Sequence, residues 1–184
     1  MKKISAIFAA MLLLCSIGLA QAEKKTVSQV LDGAIKTIES ELVPAAEAMP
    51  EDKYGFAPSN GEFKGVRTFG QQIKHVAAVN YIVGAVILGE KPPVDTGGES
   101  GPDSLKSKAD IVKYLKDSFA YAHKATASIS EANSLEPIAG PPWSKEKTTR
   151  MSMALTFAWH GFDHYGQIVE YLRMNGIVPP ASRG

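Results

Sequence analysis

Cysteine is almost missing from this chain: the only one among 184 residues is Cys15. It falls in an N-terminal stretch expected to be removed, so no disulfide holds the fold and no protein thiol serves as nucleophile. Basic excess is missing too, with 20 Lys and Arg against 19 Asp and Glu. There is no clustered Lys/Arg stripe and no RNA-binding aromatic motif, which argues against nucleic acid as a partner. No internal repeat or low-complexity tract interrupts the chain, and no alternating apolar/polar run is long enough to require a strand.

Residues 1–22 read as a signal peptide. Lys2 and Lys3 form a short basic end, Ile4 to Leu19 is an apolar core, and Ala20-Gln21-Ala22 matches a small-x-small cleavage site. The apolar core is short for a membrane span. Leu14 precedes Cys15 where a lipoprotein site takes a small residue. Removal after Ala22 is expected, sending the chain to a periplasmic or secreted location with no stable membrane span. The expected mature domain, residues 23–184, is long enough for one domain with a proper core and short for two. Loss of Lys2 and Lys3 leaves it with 18 basic and 19 acidic residues.

What the chain does have is helical periodicity in four segments. The first opens at Thr26, with Gln29 at capping-box distance, and its apolar positions run from Val27 to Leu42. Pro44 is expected to kink or end it. After a Pro/Gly/Ser/Asn-rich loop from Pro50 to Gly65, the second opens at Thr68 with Gln71 and carries the stripe Gln72, His75, Val79, Ile82 and Val86 before Gly89 and Pro92. A connection from Gly89 to Ser107 is long enough to run the length of a bundle. The third segment starts at Ser107 with Asp110 and carries Ile111, Leu115, Phe119, Ala122 and Ile129, with His123 on its edge. A second loop, Glu131 to Ser144, contains Pro137, Pro141, Pro142 and Trp143; its apolar content suits packing over the bundle, though a lid would share it. The last segment runs from about Lys147 to Asn175, with Gly176 and Pro179-Pro180 beyond. Four apolar stripes that can be hidden only against one another imply an all-α four-helix bundle.

The chemistry concentrates in Ala158-Trp159-His160-Gly161-Phe162-Asp163-His164. Residues four apart share a helix face, so His160 and His164 can hold one ion, or can be two core-edge histidines bonded to nearby groups. The familiar two-His zinc-protease motif has Glu directly after the first His, where this chain has Gly161, and that reading fails. If the second and fourth helices are neighbours, His75 joins the pair. Three neutral imidazoles suit zinc or nickel better than calcium or magnesium and leave a position for a metal-bound water. Gln72 and Gln167 are candidates for orienting ligands or substrate, and Asp163 is the candidate for a fourth ligand, although it should point about 100° from His164.

Several stretches together resemble the DinB/YfiT-like family. They are Thr68-Phe69-Gly70-Gln71-Gln72-Ile73-Lys74-His75, the His160/His164 pair, the run from Tyr165 to Pro180, and Met49-Pro50-Glu51-Asp52-Lys53-Tyr54 with Phe56 and Pro58. The resemblance implies a four-helix bundle with a long central crossover connection and non-sequential helices, and a divalent metal held by His75, His160 and His164. It leaves the activity among several. Relatives include thiol-dependent S-transferases, a thiol-dependent isomerase and metal-dependent hydrolases, and the family's name does not imply DNA repair. Low-molecular-weight thiols are chiefly cytosolic, so an exported chain favours hydrolysis of a small molecule; a non-catalytic metal- or ligand-binding module and a homodimer are the further expectations.

Overall fold

The computed structural model describes residues 24–183. The signal-peptide assignment, and Cys15 with it, lies outside the described residues. Four helices make up the fold: α1 (Val27–Ala48), α2 (Phe69–Leu88), α3 (Lys108–Ala127) and α4 (Arg150–Met174). Thr26 and Thr68 each accept from the third helical backbone N–H while Gln29 and Gln71 reach back, so both expected capping boxes form. Ser107 and Thr149 cap α3 and α4 through Asp110 N and Ser152 N. Gly89, at φ 70°, closes α2 in the left-handed conformation that a side chain would oppose.

Helix α1 does not stop or end at Pro44 but continues through it to Ala48. Proline removes one intrahelical bond, to the carbonyl of Ser40, and Ser40 is exposed, so water can satisfy that oxygen. Leu42, Val43, Ala45 and Ala46 are meanwhile buried on both sides of the proline. Burial of that turn outweighs one lost bond. At the other end of the chain, α4 begins at Arg150 rather than Lys147, because Thr148 and Thr149 pair antiparallel with Ile138 and Pro137. This two-residue bridge ties the middle of the loop between α3 and α4 to its C-terminal end. The loop docks at the head of α4, with Met151 N donating to Ser134 O, and buries Ser134 and Pro141 while Trp143 stays half-exposed.

The helix order is non-sequential. Helix α2 packs against α3 and α4, and α1 packs against the same two from the other side, leaving α1 opposite α2. Helices α2 and α3 run parallel. The start of α3 sits at the end of α1, where Lys108 Nζ donates to the carbonyls of Glu47 and Met49 at 2.7 and 2.8 Å. The chain between Gly89 and Ser107 therefore returns along the bundle as a crossover, and it is pinned to α2 by Lys74 Nζ to Pro102 O at 3.0 Å. Seventeen of the 20 residues of α2 are buried, which makes it the central helix.

Helices α1 and α4 run parallel and meet at a glycine. A Cβ on Gly161 would stand 2.7 Å from Ile38 Cγ1, and Ile38 is fully buried. The position that a zinc protease would fill with glutamate thus faces α1, not the site, and has no room for a side chain. On the same helix a Cβ on Gly166 would meet nothing within 4 Å. Gly166→Ala should therefore stabilise the protein by about 0.5–1 kcal/mol through helix propensity. Gly161→Ala should lose about 1 kcal/mol or more, because overpacking costs about 1–3 kcal/mol. Urea denaturation of the two variants checks the opposite signs.

Candidate metal centre

Three helical positions bring imidazoles together. His75 projects from α2, and His160 and His164 from one face of α4. Ring centroids are 4.5 Å apart for His160/His164, 4.7 Å for His75/His164 and 5.0 Å for His75/His160. One ligand nitrogen from each lies within 4.8 Å of the others. His75 and His164 are buried, and His160 is partly exposed.

The crossover orients the first of them. A carbonyl oxygen only accepts, so at 2.5 Å from Glu99 O the Nδ1 of His75 carries the proton and its Nε2 keeps the lone pair. That Nε2 stands 3.1 Å from His160 Nε2. Two imidazole ligands of a tetrahedral zinc at ~2.05 Å would be ~3.3 Å apart, so the spacing fits a shared cation. His164 Nδ1 is buried with no hydrogen-bond partner, the kind of group a bound ion or water satisfies.

Burial also keeps the rings neutral. Desolvation pushes His160 down to about 3 and His164 down to about 4, with the neighbouring imidazoles and Arg67 adding to the effect. His75 is lowered as well, first by burial, against the opposing pull of the Glu99 carbonyl. Near neutral pH all three therefore offer lone pairs to a cation. This is a donor set for a borderline ion such as zinc or nickel rather than for an oxygen-seeking one.

Gln72 and Gln167 lie one turn from His75 and His164 and bond each other, Gln72 Nε2 to Gln167 Oε1 at 2.9 Å, so they join α2 to α4 beneath the rings. Gln72 Oε1 is left buried and unpartnered. Asp163 is exposed and outside the cavity over the histidines, as its 100° offset from His164 requires. His123 lies elsewhere, bridging α3 to Asp32 and Glu39 of α1.

The imidazoles form one wall of an open cavity of about 400 Å³, completed by Val79, Glu99, Trp143, Met153, Thr156 and Trp159. Glu99 and Trp143 were invisible to periodicity because each sits in an irregular connection, 24 residues after His75 in the case of Glu99. Trp159 had one signal: it is a large apolar side chain on a helix, next to His160, yet 61% exposed.

The model of the DinB superfamily matches residues 34–168. The chain belongs to that superfamily. A crystal structure of a conserved protein from Enterococcus faecalis is similar in fold, with a TM-score of 0.64 over 82% of this chain and 98% of that one, at 15% identity. No curated protein matches the chain. Membership accords with the resemblance read from the histidine motifs, and the crossover and non-sequential helix order follow the DinB expectation. No helix among the described residues of this DinB protein is long and apolar enough to cross a membrane.

Replacing His75 or His160 with alanine should abolish retention of zinc while the helical circular dichroism persists, whereas His123→Ala should leave the metal content unchanged; elemental analysis of the three variants decides this. The depressed pKa values also predict acid behaviour. A buried ring that resists protonation adds stability at pH above the ordinary 6.5, and that contribution is lost as pH falls from there toward about 4, where His164 takes up its proton. Urea denaturation of metal-free protein from pH 7 to 4 should show a steeper loss for wild type than for His160→Ala.

Proposed function

We propose that this DinB protein is an exported, metal-dependent hydrolase of a small molecule, with His75, His160 and His164 holding one zinc or nickel ion. The observation that carries the reading is the position of the imidazole triangle on the wall of an open cavity of about 400 Å³. A structural staple would be closed by a fourth protein ligand, and Asp163, the candidate for it, is exposed on another face. Bound there, a divalent ion would supply Lewis-acid activation of water or of a substrate carbonyl.

The chain's own residues do the rest. The Glu99 carbonyl holds the His75 ring in one tautomer and one orientation, as the outer partner of a metal-ligating histidine does. Glu99 borders the same cavity, and its carboxylate, close enough to act on the charge of His75, is the candidate general base that the periodic segments do not contain. Trp143 and Trp159 flank the opening and limit the water around a bound substrate. Thr156 donates to Ser152 O at 3.2 Å, which leaves its oxygen to accept from a ligand. A thiol S-transferase would use the same centre, but its thiol cosubstrate is chiefly cytosolic, and an exported protein has ready access only to water.

The test begins with elemental analysis after equilibration with trace metals and dialysis, where about one zinc or nickel per chain is expected. Hydrolysis of p-nitrophenyl acetate by the loaded protein should exceed that of His160→Ala. Glu99→Gln should lower kcat at least tenfold with metal content unchanged, since a positioned base contributes about 10²–10⁴. Equal rates for wild type and His160→Ala would leave the centre without a hydrolytic role.

A further inference from the structure

A second cavity, of about 530 Å³, adjoins the one over the histidines. The two share walls: Glu99 and Trp143 border both. They also share a floor, because His75 and Val79 line the first while Ile82 and Val86 line the second. These four positions, spaced by four, three and four residues, form one stripe along α2. From His75 to Val86 that stripe runs ~16 Å along the helix axis. The crossover walls it on one side, and the loop carrying Pro142 and Trp143 walls it on the other. The two cavities thus make a single trough that is polar at the imidazoles and apolar beyond Trp143.

Beyond the shared Glu99 and Trp143, the apolar arm has no part in the metal chemistry proposed above. Its floor is aliphatic, from Ile82, Ala85 and Val86; of its charged groups, Glu90 and Lys91 are exposed at the far rim and Glu99 stands where it joins the imidazole cavity. A peptide strand or a sugar would bring polar groups against this surface without partners, at a desolvation cost. A hydrocarbon tail would not. Continuity with the imidazole cavity sets which end goes where: a head group at the histidines, a tail across Trp143 onto Ile82 and Val86.

From this geometry we infer that the substrate is an amphiphile, a small acyl compound with a polar, metal-reaching head and an unbranched aliphatic tail that lies in the trough between the crossover and the loop before α4. The inference rests on the metal-centre reading, since the head is placed by the histidines. It assigns specificity to Val86 and Trp143 and leaves the chemistry to the centre.

The experiment uses hydroxamates, which chelate zinc through the same head whatever the tail. Isothermal titration of zinc-loaded protein compares acetohydroxamate with octanohydroxamate. Zinc stoichiometry and circular dichroism are recorded on each sample. A buried methylene is worth about a factor of four in affinity, so burial of even two of the six additional methylenes gives octanohydroxamate more than a tenfold advantage. Val86→Trp, which fills the arm, and Val86→Asp, which charges it, should each cut that advantage to within about threefold while acetohydroxamate binds as before. Equal affinities of the two ligands for zinc-loaded wild type overturn the tail site and leave the metal centre standing. An advantage that survives both substitutions in folded protein overturns it as well, by putting the tail elsewhere. Concentration-dependent dimerisation in sedimentation, lost in Val86→Asp and accompanied by no chain-length effect, would give the arm to a second copy of the chain instead. Absence of zinc, with neither hydroxamate bound, removes the metal reading and this inference together, a result distinct from all the others.

Discussion

The site depends on one packing arrangement, the burial of α2 between α3 and α4. Because α2 is apolar nearly all round, it can be satisfied only at the centre of the bundle, with a helix on each side and the crossover along its remaining face. That placement carries His75 to the inner face of α4, where the i, i+4 pair already stands. It also explains the cost of protonating the centre. The rings are desolvated by the same burial that holds the helices together, and their neutrality is first a consequence of the core, to which the neighbouring imidazoles and Arg67 add.

The crossover does more than connect. A parallel pair of helices needs a return segment the length of the bundle, and here that segment closes one side of the cavities. Its Glu99 lines both cavities, and its backbone carbonyl fixes the His75 tautomer. Topology and chemistry are therefore joined in one residue. Lys74 to Pro102 and Tyr114 to the Asp95 carbonyl, at 3.0 and 3.1 Å, pin the irregular chain on either side of it. A ring nitrogen held by a loop carbonyl is only as well placed as that loop.

Most of the fold was legible because helices announce themselves locally. The capping boxes at Thr26 and Thr68 and the left-handed Gly89 are contacts within four residues of sequence, and they formed where the pattern put them. The errors were also local in origin. Pro44 did not end α1, because the residues around it are buried, and the start of α4 was moved by the pairing of Thr148 and Thr149 with partners ten and twelve residues upstream. In both cases a tertiary contact outweighed a propensity.

For the site, the one-dimensional information determined that His160 and His164 share a face and that His75 lies on an inward stripe, since both follow from helical period alone. It also determined that no Glu follows His160, but not why. Only the folded chain showed that Gly161 is required where α1 meets α4, 2.7 Å from Ile38 Cγ1 for any added Cβ. Only the folded chain brought Glu99 and Trp143 over the rings, because irregular segments have no period from which their direction can be read. Periodicity specifies which face of a helix turns inward; which helices are neighbours, and what the loops lay across them, is decided by how four apolar stripes and one long return are buried together.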